Sequence, residues 1–179
     1  MSVPIDRRTF SRHALSLTAG SAAVLGVVRR VMAIESPPSE ELTKTAEAIH
    51  EEIVIAASPA RVYAALTDAK RFSSMTAFSM VPKAKPAAIA RDVGGAFTLF
   101  DGHVAGRHIE LVPNRRVVQA WRSADWPAGW YSIARFELAG DGSRTTIVFD
   151  HTGFPAGQGE HLVQGWELNY WTPLRKLLG

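Results

Sequence analysis

From residue 95 to residue 152 apolar and polar side chains alternate, and beyond residue 157 the apolar spacing lengthens to about four. Alternation turns every second side chain to one face of a strand, whereas the longer period marks one face of a helix. The alternating stretch predicts strands over 95–100, 103–112, 116–122, 130–138 and 145–152. Asp101-Gly102 predicts a two-residue hairpin, Pro113-Asn114 and Gly140-Asp141-Gly142 predict the next tight turns, and 123–129 reads as a longer loop. Farther on, Leu162, Trp166, Tyr170, Leu174 and Leu177 form an i, i+4 stripe along one long helix. Pro173 lies inside it. Its missing N–H forfeits the bond to the Asn169 carbonyl and predicts a kink that tilts Trp171.

Upstream of the sheet the signals are shorter. Residues 52–56 read as a first strand, after which Ser58-Pro59 supplies an N-cap and a proline at the first helical position. Val62, Tyr63 and Leu66 give that helix its apolar face, and it ends near Thr67-Asp68. A second short helical piece covers 71–75, and 81–90 reads as loop with room for one short strand. The predicted class is therefore α+β, with about six strands, two short helices after the first strand and a long C-terminal helix.

Composition adds little until it is divided. The 179 residues are 46% hydrophobic and 21% charged, enough for one core. The net charge of +3 suggests a polyanion partner. Yet Arg7, Arg8, Arg12, Arg29 and Arg30 face a single acid, Asp6, in the first 33 positions, and the remainder holds 15 basic against 16 acidic residues, a net of −1. A near-neutral body has no electrostatic footprint for nucleic acid.

The first 33 residues have an order of their own. Arg7-Arg8 stands two residues ahead of Phe10, an apolar small-residue run follows over 14–28, and Val31-Met32-Ala33 ends it with small residues. This segment resembles twin-arginine export signals, with Asp6 and Ser11 departing from the usual pattern. Fifteen apolar residues span roughly 22 Å as helix, short of a bilayer core of about 30 Å, so no stable membrane span is expected after cleavage near Ala33. The expected organisation is an export signal over 1–33, a Pro-rich linker over 34–48 and one domain over 49–179. The expected location is the periplasm or outside the cell, or the inner membrane if the signal stays uncleaved. The chain has no cysteine, so thiolate ligands, disulfides and a lipidated-cysteine anchor are all excluded.

Several motifs in order carry a resemblance over 49–178: GGAFTLFDGHVAG, ELVP, VVQAWR, WPAGWYS, GFP and QGW. They resemble the START-like helix-grip superfamily (SRPBCC). More narrowly they are similar to the C-terminal domain of the Aha-type activator of the heat-shock protein 90 ATPase and its bacterial homologues. The resemblance implies a curved antiparallel sheet gripping the long helix, with a cavity between them that usually takes an apolar ligand. It does not imply one activity.

Candidate chemistry follows from the strand periods. Ile147, Phe149 and His151 share one face of the last strand and are assigned inward, so the neighbouring Asp150 points away and cannot pair with His151. His151 is the one titratable group expected near the cavity. It is read as a hydrogen-bonded histidine beside the Gly153 turn, with ligand contact or acid–base work as alternatives. Phe97, Trp121, Phe136, Phe149, Trp166 and Tyr170 converge with it as the expected ligand wall or, alternatively, a filled core. Trp126 and Trp130 read as loop packing or a rim patch, and Glu110 and Glu137 as a solvated sheet face. His103 and His108 are assigned to opposite faces, and no HxxxH or HxH pair exists, so neither a metal site nor any cofactor is expected. Nucleophile elbows and phosphate loops are absent. The leading expectation is an exported binding module for a small apolar or amphipathic ligand. A cyclase, dehydratase or hydrolase is the enzymatic alternative. A chaperone-stimulating role is the third and is disfavoured by export.

Overall fold

The computed structural model describes residues 47–179. Seven antiparallel strands form one open sheet in the order β1-β7-β6-β5-β4-β3-β2. In chain order these are β1 (Ala48–Ile55), β2 (Ala88–Ile89), β3 (Ala96–Leu99), β4 (Val104–Val112), β5 (Arg116–Ser123), β6 (Ser132–Gly140) and β7 (Thr145–Thr152). The strand beyond the expected six is β2, the one short strand for which the loop segment 81–90 left room. Helices α1 (Pro59–Thr67) and α2 (Ala69–Thr76) follow β1, capped by the side chains of Ser58 and Asp68. α3 (Gly159–Trp166) and α4 (Thr172–Leu178) form the C-terminal helix.

The joint between α3 and α4, where Pro173 predicts a kink, is irregular. Residues Glu167–Trp171 form a π turn, one residue wider per turn than α, immediately ahead of Pro173. The wider turn presents both Tyr170 and Trp171 to the sheet, and it stacks Trp166 on Trp171 with ring centroids 5.7 Å apart and planes at 20°. Beyond it Leu174 and Leu178 are buried and Leu177 is only partly so.

Two local irregularities reset the sheet. The β3–β4 connection is not a two-residue hairpin: Leu99 pairs with Val104, and Phe100, Asp101 and Gly102 all take positive φ (50°, 57° and 89°). Such backbone is costly for Phe100, by about 1–3 kcal/mol, and it turns a buried phenyl ring back under the sheet. In β4 the register shifts between His108 and Glu110. This bulge leaves Ile109 exposed and returns Leu111 to the core side, so Glu110 faces outward. There Arg116 bonds both Glu110 and Glu137, and Arg135 joins through Glu137. Burial pulls the Glu137 carboxyl up, but the hydrogen bonds from Arg135 and Arg116 outweigh it and hold the group below its ordinary range.

The inner face is aromatic. Phe149 lies 4.5 Å from Trp166 and 5.0 Å from Phe136 between ring centroids, and Trp171 packs on both phenyl rings. Gly106 is required where β4 crosses this layer, because a Cβ there would meet the Ala120 carbonyl at 2.1 Å and the Phe97 ring at 2.4 Å. Glu47, ahead of β1, accepts from the Gly157 and Gly159 N–H groups at 2.7 and 3.0 Å, placing a carboxylate at the α3 N-terminus. No described helix is long and apolar enough to cross a membrane.

Candidate functional site

A cavity of about 220 Å³ opens at one end of the helix–sheet interface. Its walls come from α3 and the π turn (Leu162, Trp166, Tyr170), the strained turn (Phe100), the first residue of β4 (Val104) and the end of β5 with its loop (Trp121, Trp126). Gly165 leaves its helix side open, since a Cβ there would touch nothing within 4 Å. Polar side chains collect toward the exposed side, among them His103, Asp125 and His161.

Of the residues expected to meet a ligand, Trp121, Trp166 and Tyr170 line this cavity. Phe97, Phe136, Phe149 and His151 do not. They lie in the filled layer, each no more than about 2% exposed. Phe136, Phe149 and His151 pack behind Trp166 and Phe97 packs on His108, whereas the cavity lies where α3 meets the β3–β4 and β5–β6 loops. Trp126, read as a rim or loop residue, is buried with its ring 5.3 Å from Trp121. Trp130 is half exposed and donates its indole N–H to the Gly153 carbonyl at 3.2 Å. Arg7, Arg8, Phe10 and Ala33 lie outside the described residues.

His151 has oriented partners that its sequence context did not reveal. Trp166 Nε1–H donates to His151 Nδ1 at 3.0 Å, so the ring proton resides on Nε2. That N–H faces Ser132 Oγ at 2.7 Å, and the Ser132 hydroxyl donates onward to the Trp121 carbonyl at 2.9 Å. Both ring nitrogens of His151 and the Ser132 hydroxyl are thereby used. Burial pushes the imidazole down to about 3, which keeps it neutral. A histidine locked as a neutral spacer between helix and sheet has no free lone pair to act as a base. Asp150, on the opposite face as expected, instead meets His50 Nδ1 at 2.7 Å.

A second histidine cluster lies at the rim. Ser123 Oγ and Asp125 Oδ2 both approach His103 Nε2, at 3.5 and 3.8 Å. A hydrolytic triad needs the serine and the carboxylate on different ring nitrogens, so this grouping does not make one. His108 faces inward on β4, its ring 5.4 Å from Phe97, and burial pushes its imidazole down. Neither of its nitrogens has a hydrogen-bond partner among the described residues. Among those residues no group of three or more His, Asp or Glu could hold a metal ion.

Residues 56–179 match the family described as Activator of Hsp90 ATPase homolog 1-like protein. The chain belongs to that family. Among its relatives, the human activator of 90 kDa heat shock protein ATPase homolog 1 is 31% identical over 94 residues, which cover 52% of this chain and 28% of the human protein. Mouse homolog 2 is 28% identical over 109 residues, covering 60% of this chain and 33% of the relative. The matches thus span about a third or less of these relatives' length. Among solved structures, an HSP90 activator from Plasmodium falciparum superposes with a TM-score of 0.60 at 24% identity, covering 66% of this chain and 86% of that one. The Aha1 dimer from Colwellia psychrerythraea gives 0.53 at 20% identity, covering 68% and 87%. Those likenesses establish the fold expected from the motifs.

Proposed function

We propose that this Aha-type domain binds one small, mostly apolar molecule in the cavity between α3 and the loops at the ends of β3 and β5. The carrying observation is the wall: aromatic and aliphatic side chains from the C-terminal helix, the β3–β4 turn, β4 and the end of β5 with its loop enclose about 220 Å³ instead of closing on one another. An apolar cavity of roughly 150 Å³ accepts benzene, so this one suits a single ring with a short substituent. Native mass spectrometry of protein purified from its own cell envelope tests the reading. A bound small molecule released on unfolding supports it, and a mass equal to the bare chain from every preparation counts against it. Export by the twin-arginine route belongs to the same proposal, and it would place the domain where such a ligand is met outside the cytoplasm.

A second reading rests on the relatives' names. The 31% identity to the human activator favours stimulation of a chaperone ATPase. Adding the purified domain to the organism's own heat-shock protein 90 homologue, with ATP turnover measured, separates the two. Acceleration that survives blocking the cavity would favour the chaperone role.

A further inference from the structure

Charge is divided unevenly along the described residues. Residues 69–91 hold five basic side chains and no acidic one, whereas the rest of 47–179 holds nine basic against thirteen acidic. Within that segment the connection from α2 to β2 carries Met80, which at 67% is the most exposed large apolar side chain among the described residues. Phe78 and Val81, 43% and 39% exposed, stand on either side of it in sequence. Lys83 and Lys85 follow, and Lys70 of α2 borders the same surface hollow as Pro86. The backbone beneath these side chains is already paired. Met80 N–H donates to Asn169 Oδ1 at 3.2 Å, and Val81 N–H to Ser79 Oγ at 3.0 Å. Lys85 N–H donates to Asp101 Oδ1 at 2.8 Å and Ala87 N–H to Ser73 Oγ at 2.9 Å, while Pro82 and Pro86 have no N–H. The flanking carboxylates are engaged too: Asp101 by that bond, Asp68 by Arg91 at 3.6 Å and Glu167 by Arg175 at 3.0 Å.

We infer that this connection, residues 78–85, is a docking surface for an anionic lipid bilayer. Phe78, Met80 and Val81 enter the bilayer surface while Lys70, Lys83 and Lys85 meet the headgroups. Burying the tips removes apolar area from water, and each lysine adds attraction to anionic lipid; together they give the two signals that reversible membrane binding needs. A loop whose N–H groups are already bonded loses little by leaving water. The lysines favour a lipid over a protein partner, because protein interfaces are enriched in arginine and depleted in lysine. Three of the four lysines in 47–179 lie on this surface, although the same stretch holds ten arginines. Their long stems let the ammonium groups reach the headgroups while the apolar tips sit deeper. Val81 also borders the cavity, so docking sets one side of the cavity against the bilayer. The inference goes beyond the ligand-binding reading and does not depend on what fills the cavity.

The chain has no cysteine, so one introduced thiol reports one position. Met80→Cys, labelled with the polarity-sensitive dye NBD in the whole chain, is mixed with vesicles of phosphatidylcholine alone or of equal parts phosphatidylcholine and phosphatidylglycerol. On the anionic vesicles the emission should shift to the blue and be quenched by nitroxides on the lipid chains. The same label at Val54→Cys, exposed on β1, should show neither effect. Changing Lys70, Lys83 and Lys85 together to glutamine should weaken the affinity read by the dye at least about tenfold, and added salt should weaken it further. Because the signal comes from position 80, capture of the chain by its apolar first 33 residues does not imitate it. An unshifted dye at position 80 on anionic vesicles overturns the inference, as does an equal shift on neutral vesicles or at Val54. A response to the organism's heat-shock protein 90 homologue with none to either vesicle also overturns it and makes the connection a protein-docking surface. None of these outcomes touches the ligand-binding reading.

Discussion

The indole N–H of Trp166 donates to Nδ1 of His151 at 3.0 Å, tying the helix to the last strand through a bond that only neutral imidazole can accept. Protonating His151 would turn that acceptor into a second donor facing the indole N–H.

The pH dependence of stability follows. A histidine whose folded pKa is depressed binds its proton in the unfolded chain first, so stability is complete above about pH 6.5 and falls as the pH drops. For His151, pushed down to about 3, the loss should continue through pH 5 and 4 at about 1.4 kcal/mol per unit. Urea unfolding at pH 7, 6 and 5 measures it. His151→Phe should lower stability at pH 7 yet flatten the acid slope, and an unchanged slope would contradict the assignment.

His108 should behave differently on substitution. Its two unpartnered nitrogens mean that His108→Leu removes an unsatisfied polar group at little loss of packing. Unfolding free energy at pH 7 should stay within about 1 kcal/mol of the unmutated protein or rise. A loss above about 3 kcal/mol would show that the ring is held by interactions beyond those described.

Trp166→Ala should cost about 3–5 kcal/mol, because it deletes a large buried ring and strands His151 Nδ1. Denaturant midpoints with an unchanged m-value check this. A cost below about 1 kcal/mol would mean that the helix is not gripped through this residue.

Much of this architecture was legible because period two and period four separate cleanly along the chain. Inward Phe149 and His151, outward Asp150 and Glu137, and the Ser58 cap follow from spacing alone, whereas Glu110 faces outward on the same strand as inward His108 only because of the bulge between them. What was illegible depends on single-residue irregularities. The π turn inserts one residue ahead of Pro173, so an i, i+4 stripe finds Tyr170 but misses Trp171, and the buried residue after Leu174 is Leu178, four residues on, rather than Leu177. Asp101-Gly102 looks like a hairpin turn, yet the left-handed backbone begins one residue earlier, at Phe100. The wall residues drawn from loops, Trp126 and Phe100 above all, carry no period and are brought to the site only by tertiary folding. Trp126 was visible as one of two loop tryptophans, and nothing in the local pattern marked it as the inward one.

Export is tested separately. A fusion of residues 1–36 to a reporter should reach the periplasm, and changing Arg7 and Arg8 together to lysine should stop it. A cytoplasmic unmutated fusion would favour the chaperone reading instead.

The most direct test fills the cavity from its open side. Gly165 lies on α3 with ordinary helical φ and free space beyond its Cα, so Gly165→Leu should fold at least as stably as the unmutated chain while occupying the ligand's volume. Calorimetric titration of both proteins with acetophenone should show binding to the unmutated chain and loss of at least about tenfold in Gly165→Leu. Equal binding by the two proteins, or none by either, would contradict a ligand cavity between helix and sheet.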